Sequence, residues 1–327
     1  MATILCSGGA GFIGSHCIKI LLGRGDTVIC VDNFSRFIYS PDQKLENIKP
    51  FIEHKNFYLY NTDITNQDAM TRIFATHKID KILHLAAQAG VRASLNHPLV
   101  YVRDNINGTA MLLELARLSG IKYFVMASSS SVYGENKKIP FSENDEVNHP
   151  VSPYAATKRA CEVLAYNYHH IAGIKMALLR YFTVYGPGNR PDMAIYKFSE
   201  KIMSGLPIII YGTEMARDWS YVEDIATGTI KALDSIQTME YEIFNIGCGR
   251  PIKVTDFITL LSKELGREAK IEIGPVPIGE VPITHADTHK IEERLGWKPT
   301  TPVEEGIKKF VSWFKKHYNL LDNQQIG

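Results

Sequence analysis

Short, almost unbroken apolar runs recur through the first half of the chain, at residues 2–6, 27–31, 57–60, 81–85, 123–127 and 174–179. Each is too short for a helix and reads as a strand buried on both faces, as in a parallel sheet. Between them the apolar positions take helical spacing. The clearest cases are the run up to Leu22 and residues 98–118, where Met111, Leu112, Leu115 and Leu118 fall on one side. Strand alternating with helix predicts an α/β fold with a doubly wound parallel sheet and right-handed crossovers. The texture changes near residue 181, where Pro and Gly become commoner and the elements shorter. The expected division is a nucleotide-binding lobe over 1–180, with interleaved later segments near 218–248, and a smaller α/β substrate lobe mainly over 181–327. A strand at 243–246 is expected to return to the lobe junction. Residues 302–318 read as an amphipathic helix, and the polar tail from Asn319 as a frayed end.

The first strand runs straight into Ser7-Gly8-Gly9-Ala10-Gly11-Phe12-Ile13-Gly14, and an apolar helix follows. Glycines at 8, 11 and 14 allow a tight turn and let the backbone approach a pyrophosphate on the helix's first amides. Between a strand and a helix this is the dinucleotide fingerprint of a Rossmann sheet, with Phe12 and Ile13 beside the ligand. Asp32 and Asn33 follow the second strand, about 20 residues past the turn, where an acid binds the adenosine ribose 2′-hydroxyl. A carboxylate there repels a 2′-phosphate, so NAD is expected over NADP, although Arg36 lies close by. Asp63-Ile64, after the third strand, reads equally as an adenine-pocket wall or a helix cap. Leu85, Ala86 and Ala87 end the fourth strand in small residues against which a flat cofactor can lie. His84 reads as a packed core histidine, because no second metal ligand stands beside it.

The fifth strand ends in Ser128-Ser129-Ser130-Ser131, and catalytic groups of open α/β sheets sit at such strand ends. Further on, Ser152 reads as an N-cap with Pro153 at the first helical position. Tyr154 then lies in the first turn, and Lys158 four residues on shares its face. A phenol beside an ammonium and a positive helix end is expected to have a lowered pKa and to serve as a general base or acid. In the second lobe Arg180, Arg190 and Arg217 read either as diphosphate grips or as surface ion pairs.

Composition adds exclusions. The chain has 327 residues with a net charge of +1, so neither nucleic acid nor a membrane surface is an expected partner. Its five cysteines form no CxxC pair or metal spacing and read as reduced residues of a cytoplasmic protein. No metal, signal peptide or membrane span is expected.

These motifs, taken together, resemble the extended short-chain dehydrogenase/reductase family of nucleotide-sugar epimerases and dehydratases. Within it the chain is most similar to the UDP-glucuronate 4-epimerases. The marks are His84 to Arg92, Ser128 to Gly134, Phe182 to Pro187, Arg190-Pro191-Asp192-Met193-Ala194, and Arg217 to Asp224. The resemblance implies that Tyr154 takes the proton of the sugar 4-hydroxyl while NAD takes the C4 hydride. The 4-keto sugar then turns over and accepts the hydride on its other face. It also implies that Ser129 hydrogen-bonds the 4-oxygen, that Lys158 holds the nicotinamide ribose, and that Arg92, Ser130, Thr183, Arg190 and Arg217 touch the UDP-sugar. A homodimer through a four-helix interface is implied as well.

Departures from the family pattern narrow the substrate. Ser130 and Ser131 stand where dehydratases and decarboxylating members carry acids. Thr183 stands where neutral-hexose epimerases carry Asn, and Pro277-Ile278 replaces an Arg before Gly279-Glu280. Gly188-Asn189 replaces an aromatic-Gly pair in the pocket wall. Hydroxyls of Ser129, Ser130 and Thr183 are therefore expected to hold a sugar carboxylate. The alternatives are 4-epimerisation of UDP-glucose or an N-acetylated UDP-sugar, decarboxylation, and a non-catalytic NAD-binding regulator.

Overall fold

The computed structural model describes residues 1–277 and 281–317. Its strands in chain order are β1 (Thr3–Ser7), β2 (Thr27–Asp32), β3 (Phe57–Asn61), β4 (Lys81–His84), β5 (Tyr123–Ser129), β6 (Lys175–Tyr181), β7 (Thr183–Tyr185), β8 (Ile208–Ile210), β9 (Ala216–Tyr221), β10 (Tyr241–Ile246), β11 (Pro251–Lys253) and β12 (Ile271–Ile273). Seven of them form a parallel sheet in the order β10-β6-β5-β4-β1-β2-β3. The sheet is wound outward in both directions from β1 and β4, and the crevice between those two is the topological switch point.

The apolar runs explain why this sheet is buried on both faces. Ile4, Cys6, Val28, Cys30, Leu83 and Val125 point into one apolar layer. Their neighbours Leu5, Ile29, Val31, Ile82, Phe124 and Met126 point into the other. Period-two alternation thus serves two cores at once, each buried Ile, Leu or Val contributing roughly 1.5–3 kcal/mol. β10 comes late in the chain yet pairs with β6, with Ile246 beside Tyr181. The strands β11, β9 and β7 make a second sheet, and β12 pairs with β8.

The stretch 98–118 is not one uniform helix. Pro98–Tyr101 and Gly108–Leu118 are α-helical, but Val102–Asn107 between them is a π-helix. The wider turn carries Asp104 and Asn105 inward, and both are buried. The final helix spans Val303–His317. Tyr318, the tail from Asn319, and Ile278, Gly279 and Glu280 lie outside the described residues. Among the described residues no helix is long and apolar enough to cross a membrane, and no His, Cys, Asp and Glu cluster could hold a metal. All five cysteines are free.

Candidate functional site

A cavity of about 460 Å³ opens at the carboxyl ends of the central strands. Its wall takes Gly8 from the end of β1, Asp32 from β2, Leu85 after β4, Ser129 from β5 and Tyr181 from β6. Both the position and the size suit a small-molecule site.

The nucleotide end is built on the glycine turn. Gly8 donates its N–H to Val31 O at 2.8 Å and accepts from Gly11 N at 3.0 Å. Its φ is +71°, and a Cβ there would stand 2.5 Å from Ala86 N. Only glycine lets the turn lie this closely against the Leu85-Ala86 segment that follows β4. The helix Phe12–Gly23 starts at this turn without a capping side chain, so its first amides keep donors for a pyrophosphate. Gly11, Phe12, Ile13, Gly14, Ala86 and Ala87 line the same cavity.

Asp32 is 4% exposed. Its Oδ1 accepts from Lys44 Nζ at 2.8 Å and from Phe34 N at 2.9 Å. Its Oδ2 is buried with no partner. A buried carboxylate oxygen left unpaired on a cavity wall suits a ribose hydroxyl donor. That orphaned oxygen and the glycine cradle fit NAD. Lys44 is the cation at this carboxylate, whereas Arg36 is exposed. Asn33 Nδ2 donates to Asp63 Oδ2 at 2.7 Å, and Asp63 Oδ1 accepts from Thr65 N at 2.9 Å. Burial pushes the Asp63 pKa up, but these hydrogen bonds outweigh it and hold the carboxyl below its usual value. Asp63 therefore both caps a turn and, with Ile64, lines the cavity.

At the other end, Ser152 Oγ accepts from Ala155 N at 3.2 Å and Pro153 opens the helix Pro153–Ala172. Tyr154 is half-buried, edge-on to Tyr101 at 6.1 Å. Lys158 is buried, and its Nζ donates to Ala127 O at 2.9 Å, at the end of β5. Ser129 Oγ accepts from Ser131 N at 3.2 Å. The π-helical Asn105 braces this region. Its Nδ2 donates to Thr157 Oγ1 and to Gln88 O, both at 3.0 Å. His84 lies beneath, with Nδ1 2.7 Å from Ser7 Oγ and Nε2 2.9 Å from Thr109 Oγ1.

Ser130, Thr183, Arg190 and Arg217 also line the cavity. Arg190 is bidentate on Asp192, at 2.9 and 2.5 Å, and its guanidinium lies 5.8 Å from the Tyr39 ring centroid. Burial works against its charge and Asp192 more than restores it, leaving the pKa raised. Arg217 Nη1 donates to Ala216 O at 2.8 Å and Pro282 O at 3.0 Å.

Arg180 is turned away from the cavity, and Arg92 lies on the exposed surface. Arg180 does not reach the cavity; it is 1% exposed and forked onto Glu162, so it cannot grip a diphosphate. Arg92 is exposed and outside the cavity lining; its guanidinium stacks on Tyr211, 4.7 Å from the ring centroid. Sequence reasoning missed Lys44, Tyr39, Gln88 and Asn105. No local spacing ties Lys44 to Asp32. For Asn105 the signal was a polar Asp-Asn pair inside an otherwise apolar helical pattern.

Residues 5–310 match the family model described as GDP-mannose 4,6 dehydratase. The chain is 42% identical over 328 residues to a UDP-glucuronate 4-epimerase of Thermodesulfobacterium geofontis, covering 100% of both chains. It is 39% identical to UDP-glucuronate 4-epimerase 4 of Arabidopsis thaliana, covering 97% of this chain and 76% of that one. Among solved structures it is similar to the UDP-glucuronic acid 4-epimerase of Bacillus cereus, in complex with UDP-glucuronic acid and NAD. There the TM-score is 0.90 at 34% identity, over 97% of this chain and 100% of that one. A UDP-glucose 4-epimerase of Thermotoga maritima, with UDP-glucose, matches at a TM-score of 0.87 and 35% identity, over 97% and 99% of the two chains.

Proposed function

The chain belongs to the extended short-chain dehydrogenase/reductase family of nucleotide-sugar epimerases and dehydratases, and on that footing we propose that it inverts C4 of a UDP-hexuronic acid, converting UDP-glucuronate to UDP-galacturonate. The observation that carries this is one cavity with a nucleotide cradle at one end and Tyr154, Lys158, Ser129, Ser130 and Thr183 at the other. The uronate relatives at 42% and 39% identity support the substrate class.

Asp32, Gly8, Gly11 and Gly14 would hold NAD, with the unpartnered Asp32 Oδ2 as the acceptor for a ribose hydroxyl. When bound, NAD would supply hydride-acceptor and hydride-donor chemistry at C4. Tyr154 takes the proton from the sugar 4-hydroxyl and, once the 4-keto sugar has turned over, returns it to the 4-oxygen as the hydride arrives on the other face of C4. Lys158, fixed on Ala127 O, lies one turn from Tyr154 on the same helix and holds the nicotinamide ribose. Ser129 hydrogen-bonds the 4-oxygen. Ser130 and Thr183 meet the carboxylate with charge-assisted hydrogen bonds, and Arg217 meets the diphosphate. No acid follows Ser129 to eliminate water from the sugar.

Residues 1–180, with interleaved later segments near 218–248, are the NAD lobe, and 181–327 is mainly the sugar lobe. The protein works in the cytoplasm as a homodimer. Exposed Leu99, Val102, Val163 and Tyr166 on the helical segments 98–118 and Pro153–Ala172 support self-association.

The test is proton NMR of the purified chain with UDP-glucuronate and NAD. UDP-galacturonate without net NADH or carbon dioxide is expected, and Tyr154→Phe should stop turnover while NAD stays bound. A UDP-pentose product would sink the reading. If Ser130→Ala with Thr183→Ala left the preference for UDP-glucuronate over UDP-glucose unchanged, the hydroxyl account of the carboxylate would go.

A further inference from the structure

Glu162 and Arg180 form an ion pair sealed inside the fold, with exposures of 0% and 1%. Arg180 Nε and Nη2 donate to the two carboxylate oxygens, each at 2.9 Å. Glu162 Oε1 also accepts from Ser128 Oγ at 2.7 Å, and Oε2 from Arg159 Nη1 at 3.1 Å. The remaining Arg180 Nη1 donates to Tyr133 Oη at 3.1 Å, and Tyr133 Oη donates onward to Asn245 Oδ1 at 2.6 Å. Asn245 Nδ2 donates to Phe141 O at 2.8 Å. Neither Glu162 nor Arg180 lines the cavity.

Such a pair is a poor way to gain stability. Desolvating both charges costs several kcal/mol per ion, and apolar residues of similar volume are often as stable or more so. Its value lies in geometry, because a bidentate fork tolerates little displacement. Four members of the network lie on, or next to, elements that carry a reaction group. Glu162 is one turn beyond Lys158 and two beyond Tyr154 on the same helix. Ser128 immediately precedes Ser129 on β5. Tyr133 closes the 3₁₀ turn Ser130–Tyr133, which carries Ser130. Arg180 lies three residues before Thr183, where β6 gives way to β7.

We propose that Glu162 and Arg180 are positioning residues, whose buried fork sets the spacing between Tyr154 with Lys158 and the hydroxyls of Ser129, Ser130 and Thr183. They touch neither sugar nor cofactor. The proposal rests on the epimerase reading above. It implies that loosening the fork slows the chemical step and leaves substrate affinity in place.

The experiment measures kcat, KM and melting temperature of the full chain with NAD and UDP-glucuronate. Two variants are compared with wild type. Arg180→Lys keeps the charge and loses the fork. The double variant Glu162→Met with Arg180→Met removes both charges at similar volume. Assays run well below each melting temperature. The expected result is kcat lowered about ten- to a hundredfold with KM little changed, in the double variant even where its melting temperature is native. A native kcat in either folded variant, whatever its melting temperature, would overturn the proposal. If neither folds, Tyr133→Phe decides, since it removes one hydroxyl from the network. There a lowered kcat at native KM supports positioning and a native kcat overturns it. Failure of the wild-type chain on UDP-glucuronate would count against the uronate reading instead, and the same kcat comparison is then made on UDP-glucose.

Discussion

Acid should destabilise this protein through His84. His84 is 2% exposed at the end of β4, between Ser7 and Thr109. Both neighbours are hydroxyls that can accept, so protonation would not break these contacts. The cost is burial of the imidazolium, with the nearby Lys158 charge adding to it. Together they lower the pKa from 6.5 to about 3. The unfolded chain therefore takes up a proton near 6.5 that the folded chain refuses until about 3. Stability is fully present above the higher value and is lost as pH falls between the two. From about pH 7.5 to about pH 5 the loss is RT ln(1 + 10^1.5), or about 2 kcal/mol. The assay is urea denaturation followed by tryptophan fluorescence across that range, on wild type and His84→Gln. Gln retains a donor and an acceptor but does not titrate. His16 is buried too and its pKa is lowered, mainly by desolvation, so it contributes with the same sign to both proteins. The difference between the two slopes isolates His84. The variant is expected to lose about 2 kcal/mol less over the range. Equal slopes would refute the reasoning.

Two further outcomes are expected. Gly8→Ala places a Cβ 2.5 Å from Ala86 N at a φ of +71°, so the segment after β4 or the turn must shift. The cost is about 2–4 kcal/mol, read as a lower melting temperature together with less NAD carried through purification. Asp32→Asn removes the buried counter-ion of Lys44 and the orphaned acceptor of the cofactor site. NAD affinity measured by calorimetry should fall about tenfold, and discrimination against NADP should shrink, since the repelling charge is gone. Unchanged discrimination would show that Asp32 does not set cofactor choice.

The local sequence carried those features whose physics is local. A two-residue alternation across short apolar runs specifies strands buried on both faces, and Ile4 and Leu5 indeed serve opposite cores. Glycine spacing dictates the turn before Phe12, and a four-residue step puts Tyr154 and Lys158 on one helix face. The resemblance over the whole chain then indicated chemistry that no single motif specifies. What only the tertiary structure decided are the pairings made across sequence distance. Arg180 and Arg190 look alike in the chain. Strand β6 directs Arg180 inward onto Glu162, while Arg190 faces the cavity with Asp192. Lys44, in the helix Asp42–Ile48, reaches back across the preceding loop to Asp32, and Asn105 is carried inward behind the site where its helix takes π geometry. A side chain's partner across the fold depends on which elements pack together and at what rotation. Packing of the whole apolar interior sets that rotation, and no short window of sequence records it.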